Sequence, residues 1–229
     1  MQICYNVEIK ELVEVHTLRI RKKNGIVLWP LVMLAAVAVI ILTVVFMGSI
    51  RWGYARTVPI SEEKIRSKLV DTAVSWYGSN EKDGTHRPVI DVYNSHTPLA
   101  RGYEVQYDDE WCSTFASAVA VQCGFTEIIP TECGCERHIE LFAEKGAWVE
   151  DDNYLPLPGD YIFYHWGCKT MGDCTHWSDH VGIVVGTWKQ WIKVIEGNKD
   201  GAVSYRWLRA GDYRIRGYGT PDYSSLAED

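Results

Sequence analysis

Three kinds of side chain, in one order along the chain, could do covalent chemistry: a cysteine at 112, a histidine at 180, and the oxygen-bearing pair Glu196 and Asn198. Cys112 falls where a helix is expected to begin. Asp108 or Asp109 can serve as N-cap, Trp111, Phe115, Ala118, Val119 and Gln122 follow, and Gly124 suits the position just past the end. At the second or third position of that helix, unpaired N–H groups and the positive dipole end draw a thiol from about 8.5 towards neutrality. A thiolate is the nucleophile that attack on an amide carbonyl requires, and nearby helix-start N–H groups could hold the oxyanion. The run Asp108-Asp109-Glu110 opposes this, because adjacent negative charge raises a thiol's pKa. A histidine partner is therefore required; without one, Cys112 reads as a buried structural cysteine.

His180 opens the run HVGIVVG, in which His180, Gly182 and Val184 share one face of a strand and Val181, Ile183 and Val185 the other. The next run, WIKVIEGN, puts Ile192, Val194, Glu196 and Asn198 on one face. If the two form an antiparallel hairpin around 186–190, one even register sets His180 opposite Glu196 and the next sets it opposite Asn198. Either places a carboxylate or carboxamide beside the imidazole, as a base needs to fix its tautomer.

Nucleophile on a helix start, base on a later strand and orienting oxygen on the strand after it is the papain-like order. The segments EWCSTF (110–115), PGDYIFY (158–164), SDHVGIV (178–184) and VIEGN (194–198) together resemble a CHAP domain, the cysteine- and histidine-dependent amidohydrolase/peptidase family. The likeness runs from about 65 to 220 and is strongest over 108–200. It implies a papain-like α+β fold and cleavage of amide bonds, chiefly in peptidoglycan. It also implies Cys112 as nucleophile, His180 as general base, Glu196 as orienting acid and Asn198 as a further polar residue of the site. The long lead-in 79–107 and the insertion 165–177 depart from the family pattern. Some members hold Ca²⁺ in an Asp-rich loop. Asp91 and Asp108-Asp109 lack the alternating oxygens of such a loop, so no metal and no cofactor is expected.

The elements that must position these residues are readable. Ser61 is expected to cap a helix carrying Ile65, Leu69, Ala73 and Trp76 or Tyr77, stopped at Gly78. The stretch 79–107 is turn-rich, and another helix is expected over about 136–145, ending at Gly146. Beyond Pro158-Gly159-Asp160 come strand-like runs at 161–166, 180–186, 191–198, 202–208 and 214–219. The expected fold class is α+β, with N-terminal helices packed on an antiparallel β-sheet, preceded by one transmembrane helix.

That last expectation rests on the uncharged run 26–47, which as a helix is about 33 Å long and would reach across a bilayer. Arg19, Arg21, Lys22 and Lys23 precede it and only Arg51 and Arg56 follow. The bias places 1–25 in the cytoplasm and exports the remainder, a single-pass type II arrangement in the cell membrane with an extracytoplasmic domain. A cleaved signal peptide is the alternative, but GSIRWGYAR offers no small-x-small site. The organisation is then a cytoplasmic segment (1–25), a span (26–47), a linker (48–60) and a catalytic domain (61–229). After residue 60 there are 16 basic and 27 acidic side chains, a poor surface for DNA or RNA. The expected partner is peptidoglycan. The sequence carries no separate wall-binding repeat, which leaves targeting to the tether or to an envelope protein.

Three cysteine-based readings and one for the tryptophans remain open. Cys168 and Cys174 bracket HWGCKTMGDCTHW and are expected to pair; the rival is a zinc site of His165, Cys168, Cys174 and His176. Cys123, Cys133 and Cys135 are expected to yield one disulfide and one buried thiol, of undecided connectivity. Trp111, Trp166 or Trp177 could stack on a sugar ring, with core packing as the alternative. The reaction expected is amide-bond hydrolysis in the wall, by an amidase or endopeptidase. The alternatives are a hydrolase of soluble peptides or peptide-amine conjugates, an inactive wall-binding module, and a zinc-binding interaction module.

Overall fold

The computed structural model describes residues 33, 36–39, 57–168 and 177–227. The chain divides into two compact units, Met1–Arg51 and Trp52–Asp229. The second contains helices α1 (Ile60–Ser75), α2 (Arg87–Asn94), α3 (Cys112–Cys123) and α4 (Cys135–Glu144). Strands β1 (Trp148–Val149), β2 (Tyr161–Tyr164), β3 (His180–Trp188), β4 (Trp191–Lys199), β5 (Ala202–Arg209) and β6 (Ile215–Gly219) follow. The strands form one antiparallel sheet in the order β1-β6-β2-β3-β4-β5. The architecture is α+β.

The transmembrane helix expected ahead of this sheet is corrected. Among the described residues no helix is long and apolar enough to cross a membrane. A span needs about 20 helical residues, whereas within 26–47 only Met33 and residues 36–39 are described as helical. The rest of that run, like Cys174 and His176, lies outside the described residues.

The alternation along β3 sorts its side chains between two apolar layers. Val181 and Ile183 join Phe115, Ala116, Val119 and Ile195 in the core shared with the helices. Val184 joins Ile162, Ile192, Val194 and Leu208 in the other layer. Helix α3 is buried over nearly its whole length, so polar groups along it need partners. Ser113 and Ser117 find theirs in the Glu132 carbonyl and, for Ser113, the ring of His138. Burial pushes His138 down to about 4, leaving it a neutral core residue.

Local punctuation differs from expectation in two places. Helix α2 lies inside the stretch read as turns. Pro88 falls in its first turn, where a missing N–H is harmless, and Val89, Ile90 and Tyr93 are buried. Ser61 makes no cap; it lies inside α1, which begins after Pro59. Gly124 at the end of α3 is left-handed, as its position required.

A buried ion pair joins the first helix to the start of the sheet. Arg66 of α1 donates to Asp160 at 2.9 Å, to the Pro158 carbonyl at 3.0 Å and to Glu62 at 2.7 Å. The second Asp160 oxygen accepts from the Tyr154 hydroxyl and the Leu157 N–H. The Pro158-Gly159-Asp160 turn is therefore a clasp holding β2 against α1. Removing one partner of such a pair strands the other charge. Arg66→Ala is expected to lower unfolding free energy in urea titration by about 3–5 kcal/mol. Arg66→Met combined with Asp160→Asn, which leaves no buried charge, recovers part of that loss.

Candidate active site

Cys112 is the first residue of α3, two or three positions nearer the helix start than a cap at Asp109 or Asp108 would give; the cap position is Trp111. The first turn supplies N–H groups without intrahelical acceptors, and the Ser113 N–H is one of the groups that draw the Cys112 thiol downward. A second helix points at the same sulfur. Cys135 is the first residue of α4, and its Sγ lies 3.4 Å from Cys112 Sγ. Both cysteines are buried. Two positive dipole ends thus converge on one pair of thiols.

His180 is the first residue of β3 and stands near enough to the Cys112 sulfur for each to favour the other's charged form. Its Nε2 lies 3.2 Å from Glu196 Oε2, which leaves Nδ1 for the sulfur. Glu196 is fully buried and accepts from Arg206 Nε through both oxygens, at 2.7 and 2.9 Å. Arg206 in turn lies 4.4 Å over the Trp166 ring. Trp166 and Tyr164 stack on each other, and both rings flank His180, with centroids 6.1 and 5.9 Å away.

The pairing of β3 with β4 explains this reach. Ile183 opposes Ile195 and Val184 opposes Val194. Continued toward the strand start, this register sets Glu196 across from Gly182 and Asn198 across from His180. Gly182 has no side chain, and a Cβ there would stand 2.8 Å from Glu196 Cγ and 2.5 Å from Val194 Cγ1. The empty position lets Glu196 lean diagonally to the imidazole. Asn198 does not meet it. Its φ is 54° at an irregularity in the β4–β5 ladder, and its amide donates to Glu110. Asn198 ties β4 to the segment entering α3 instead.

The protonation balance follows from these contacts. The hydrogen bond from Cys135 is the largest influence on Cys112; together with His180 and the Ser113 N–H it outweighs burial and holds the thiol well below its ordinary value. Cys135 moves the other way, well upward, because it donates to that sulfur and is buried. Burial opposes charge on His180, but Cys112 and Glu196 beside it prevail and push it up to about 9. The feared Asp108-Asp109-Glu110 run is occupied locally: Asp109 accepts from the Tyr103 hydroxyl and the Gln106 N–H, and Glu110 from Asn198.

One other expectation is corrected, and the structure bears on the rival readings. Cys123, Cys133 and Cys135 are all free thiols, so no disulfide forms among them. Cys123 bonds the Thr72 hydroxyl, and Cys133 accepts from Arg101. Cys168 is disulfide-bonded, which removes a thiolate from the proposed zinc set, and His165 Nδ1 is bonded to the Trp177 carbonyl. Trp111 is buried, with its indole N–H on Glu81, and offers no face to a sugar; Trp177 is exposed. Sequence reasoning missed Cys135 as a neighbour of Cys112 and Arg206 as the counter-charge of Glu196. Gly134 ahead of a helical run was a usable signal for the former; nothing local marks the latter. No family model, curated protein or solved structure matches the chain.

Two outcomes follow. Between the lowered Cys112 and the raised His180 value the pair exists as thiolate and imidazolium. Iodoacetamide alkylation of Cys112 is therefore expected to proceed near neutral pH, with its midpoint moving upward in His180→Ala. Gly182→Ala should displace Glu196. We expect kcat/KM on any amide substrate the chain cleaves to fall on the order of 10²-fold, with about 1–3 kcal/mol less stability from overpacking, both measured on the purified protein.

Proposed function

We propose that this chain is a cysteine-dependent amidohydrolase/peptidase that cleaves amide bonds in peptidoglycan. The observation that carries the reading is the buried set Cys112, His180 and Glu196, in which the imidazole lies 3.2 Å from a carboxylate and, with the sulfur, favours the charged form of each. The resemblance of its four segments to the CHAP family supplies the substrate class.

In the proposed reaction the Cys112 thiolate attacks the scissile carbonyl carbon, and N–H groups of the first turn of α3 receive the developing oxyanion. The His180 imidazolium gives its proton to the departing amine. The neutral ring then takes a proton from water, whose oxygen attacks the thioester, expels the Cys112 thiolate and restores the thiolate–imidazolium pair. Glu196 orients the ring, and Arg206 keeps that carboxylate charged and fixed. A groove of about 460 Å³ lies along the segments that enter the two cysteine helices, lined by Arg101, Tyr103, Val105, Asp109, Glu110 and Cys133. It is suited to a polar chain bearing both charges, such as a stem peptide.

Activity should be bell-shaped in pH. It falls on the acid side as the thiolate is protonated and on the alkaline side near 9 as His180 loses the proton destined for the amine. Cys112→Ala is expected to abolish release of new amino groups from purified walls while leaving the folded spectrum unchanged. Activity retained in that variant would refute the assignment. Cleavage of soluble peptides but not walls would move the substrate and keep the chemistry.

A further inference from the structure

We propose that Cys112 and Cys135 are a modification site, closing into a reversible intrachain disulfide when the protein meets a hydroperoxide. Its effect on activity rests on the reading of Cys112 as the nucleophile; the bond itself does not.

Geometry selects the pair. The sulfurs are 3.4 Å apart with a hydrogen bond between them, so about 1.4 Å of closure brings them to covalent distance. Each sits on the first residue of a helix, where the backbone is held while the side chain turns. The other free thiols are engaged elsewhere. Cys133 is bonded to Arg101, and Cys123 closes the far end of α3, eleven residues and about 16 Å along the axis. Cys135 forms and breaks no bond in the proposed hydrolysis beyond the hydrogen bond it lends the Cys112 sulfur, yet it is buried against the one sulfur that chemistry needs.

The chemistry balances without further reagents. The Cys112 thiolate attacks one peroxide oxygen, the O–O bond breaks, and the other oxygen leaves as hydroxide, giving a sulfenic acid. The Cys135 sulfur then attacks the Cys112 sulfur, and the sulfenyl oxygen leaves as water, taking the thiol proton. Two thiols have lost two electrons, and one hydrogen peroxide has become two waters. His180, the imidazolium next to the reacting sulfur, is placed to protonate the departing oxygen. A dithiol reductant reverses the bond by exchange. Without Cys135 the sulfenic acid has no resolving partner and proceeds to the sulfinic acid, which a dithiol does not restore.

The test uses the reduced full-length chain treated with hydrogen peroxide, digested without reduction and mapped by mass spectrometry. The expected product is a linked peptide pair containing Cys112 and Cys135, two hydrogens lighter than the free peptides and separated by dithiothreitol. In Cys135→Ser, and in Cys135→Ala should the serine fold poorly, Cys112 is expected to reach the sulfinic acid at least ten times faster than in the wild type. A wild-type protein that goes to the sulfinic acid at the same rate as the variants, or links Cys112 to Cys133 or Cys123, overturns the proposal. Wall hydrolysis measured on the same samples separates the two readings. The linked pair in a protein that never cleaves walls sinks the hydrolase and leaves the disulfide standing; cleavage without linkage does the reverse.

Discussion

A thiolate buried beside a protein core is stable only if positive charge or donors surround it, and that requirement organises the centre of this molecule. The ends of α3 and α4 supply two sets of unpaired N–H groups and two dipole ends. From the sulfur outward, charges alternate: Cys112 against His180, His180 against Glu196, Glu196 against Arg206. Each buried charge is answered by the next, and the series ends on a guanidinium whose side chain is about a quarter exposed and lies on Trp166. Loss of any interior member would leave a buried charge unanswered, so these positions bear on stability as well as chemistry.

The series also needs the sheet and the helix to approach closely. Gly197 follows Glu196, and a Cβ there would lie 2.3 Å from Phe115 Cβ. No side chain fits between β4 and α3 at that point, which is how Glu196 comes within reach of a ring facing the helix end. Gly182 clears the other side. Far from the site, Arg66 and Asp160 hold α1 to the turn preceding β2. Because β2 pairs with β3, Tyr164 opposing His180, the clasp bears on the strand that carries His180.

Much of this was legible in residue order. The alternation of HVGIVVG and WIKVIEGN assigned the faces of β3 and β4, and evenness of the register was enough to bring Glu196 within reach of His180. Gly124 and Gly146 marked the ends of α3 and α4 because a left-handed residue is wanted there. Helix α2 was obscured by Pro88, which halts a helix from its interior but is welcome in its first turn. The apolar run 26–47 resembles a membrane span by composition, yet no described helix has the length to cross one. The pairing expected among Cys123, Cys133 and Cys135 failed because a cysteine count carries no distances.

Local periodicity therefore determined which faces the strands present, where the helices stop, and that a cysteine near a helix start and a histidine opening a strand were present to be joined. Those properties depend on neighbours within a turn or two. The tertiary structure alone decided that Cys135 stands against Cys112, that Arg206 rather than solvent answers Glu196, and that Asn198 turns to Glu110. These are contacts across 23, 10 and 88 residues, and no local pattern encodes which distant elements close upon one another.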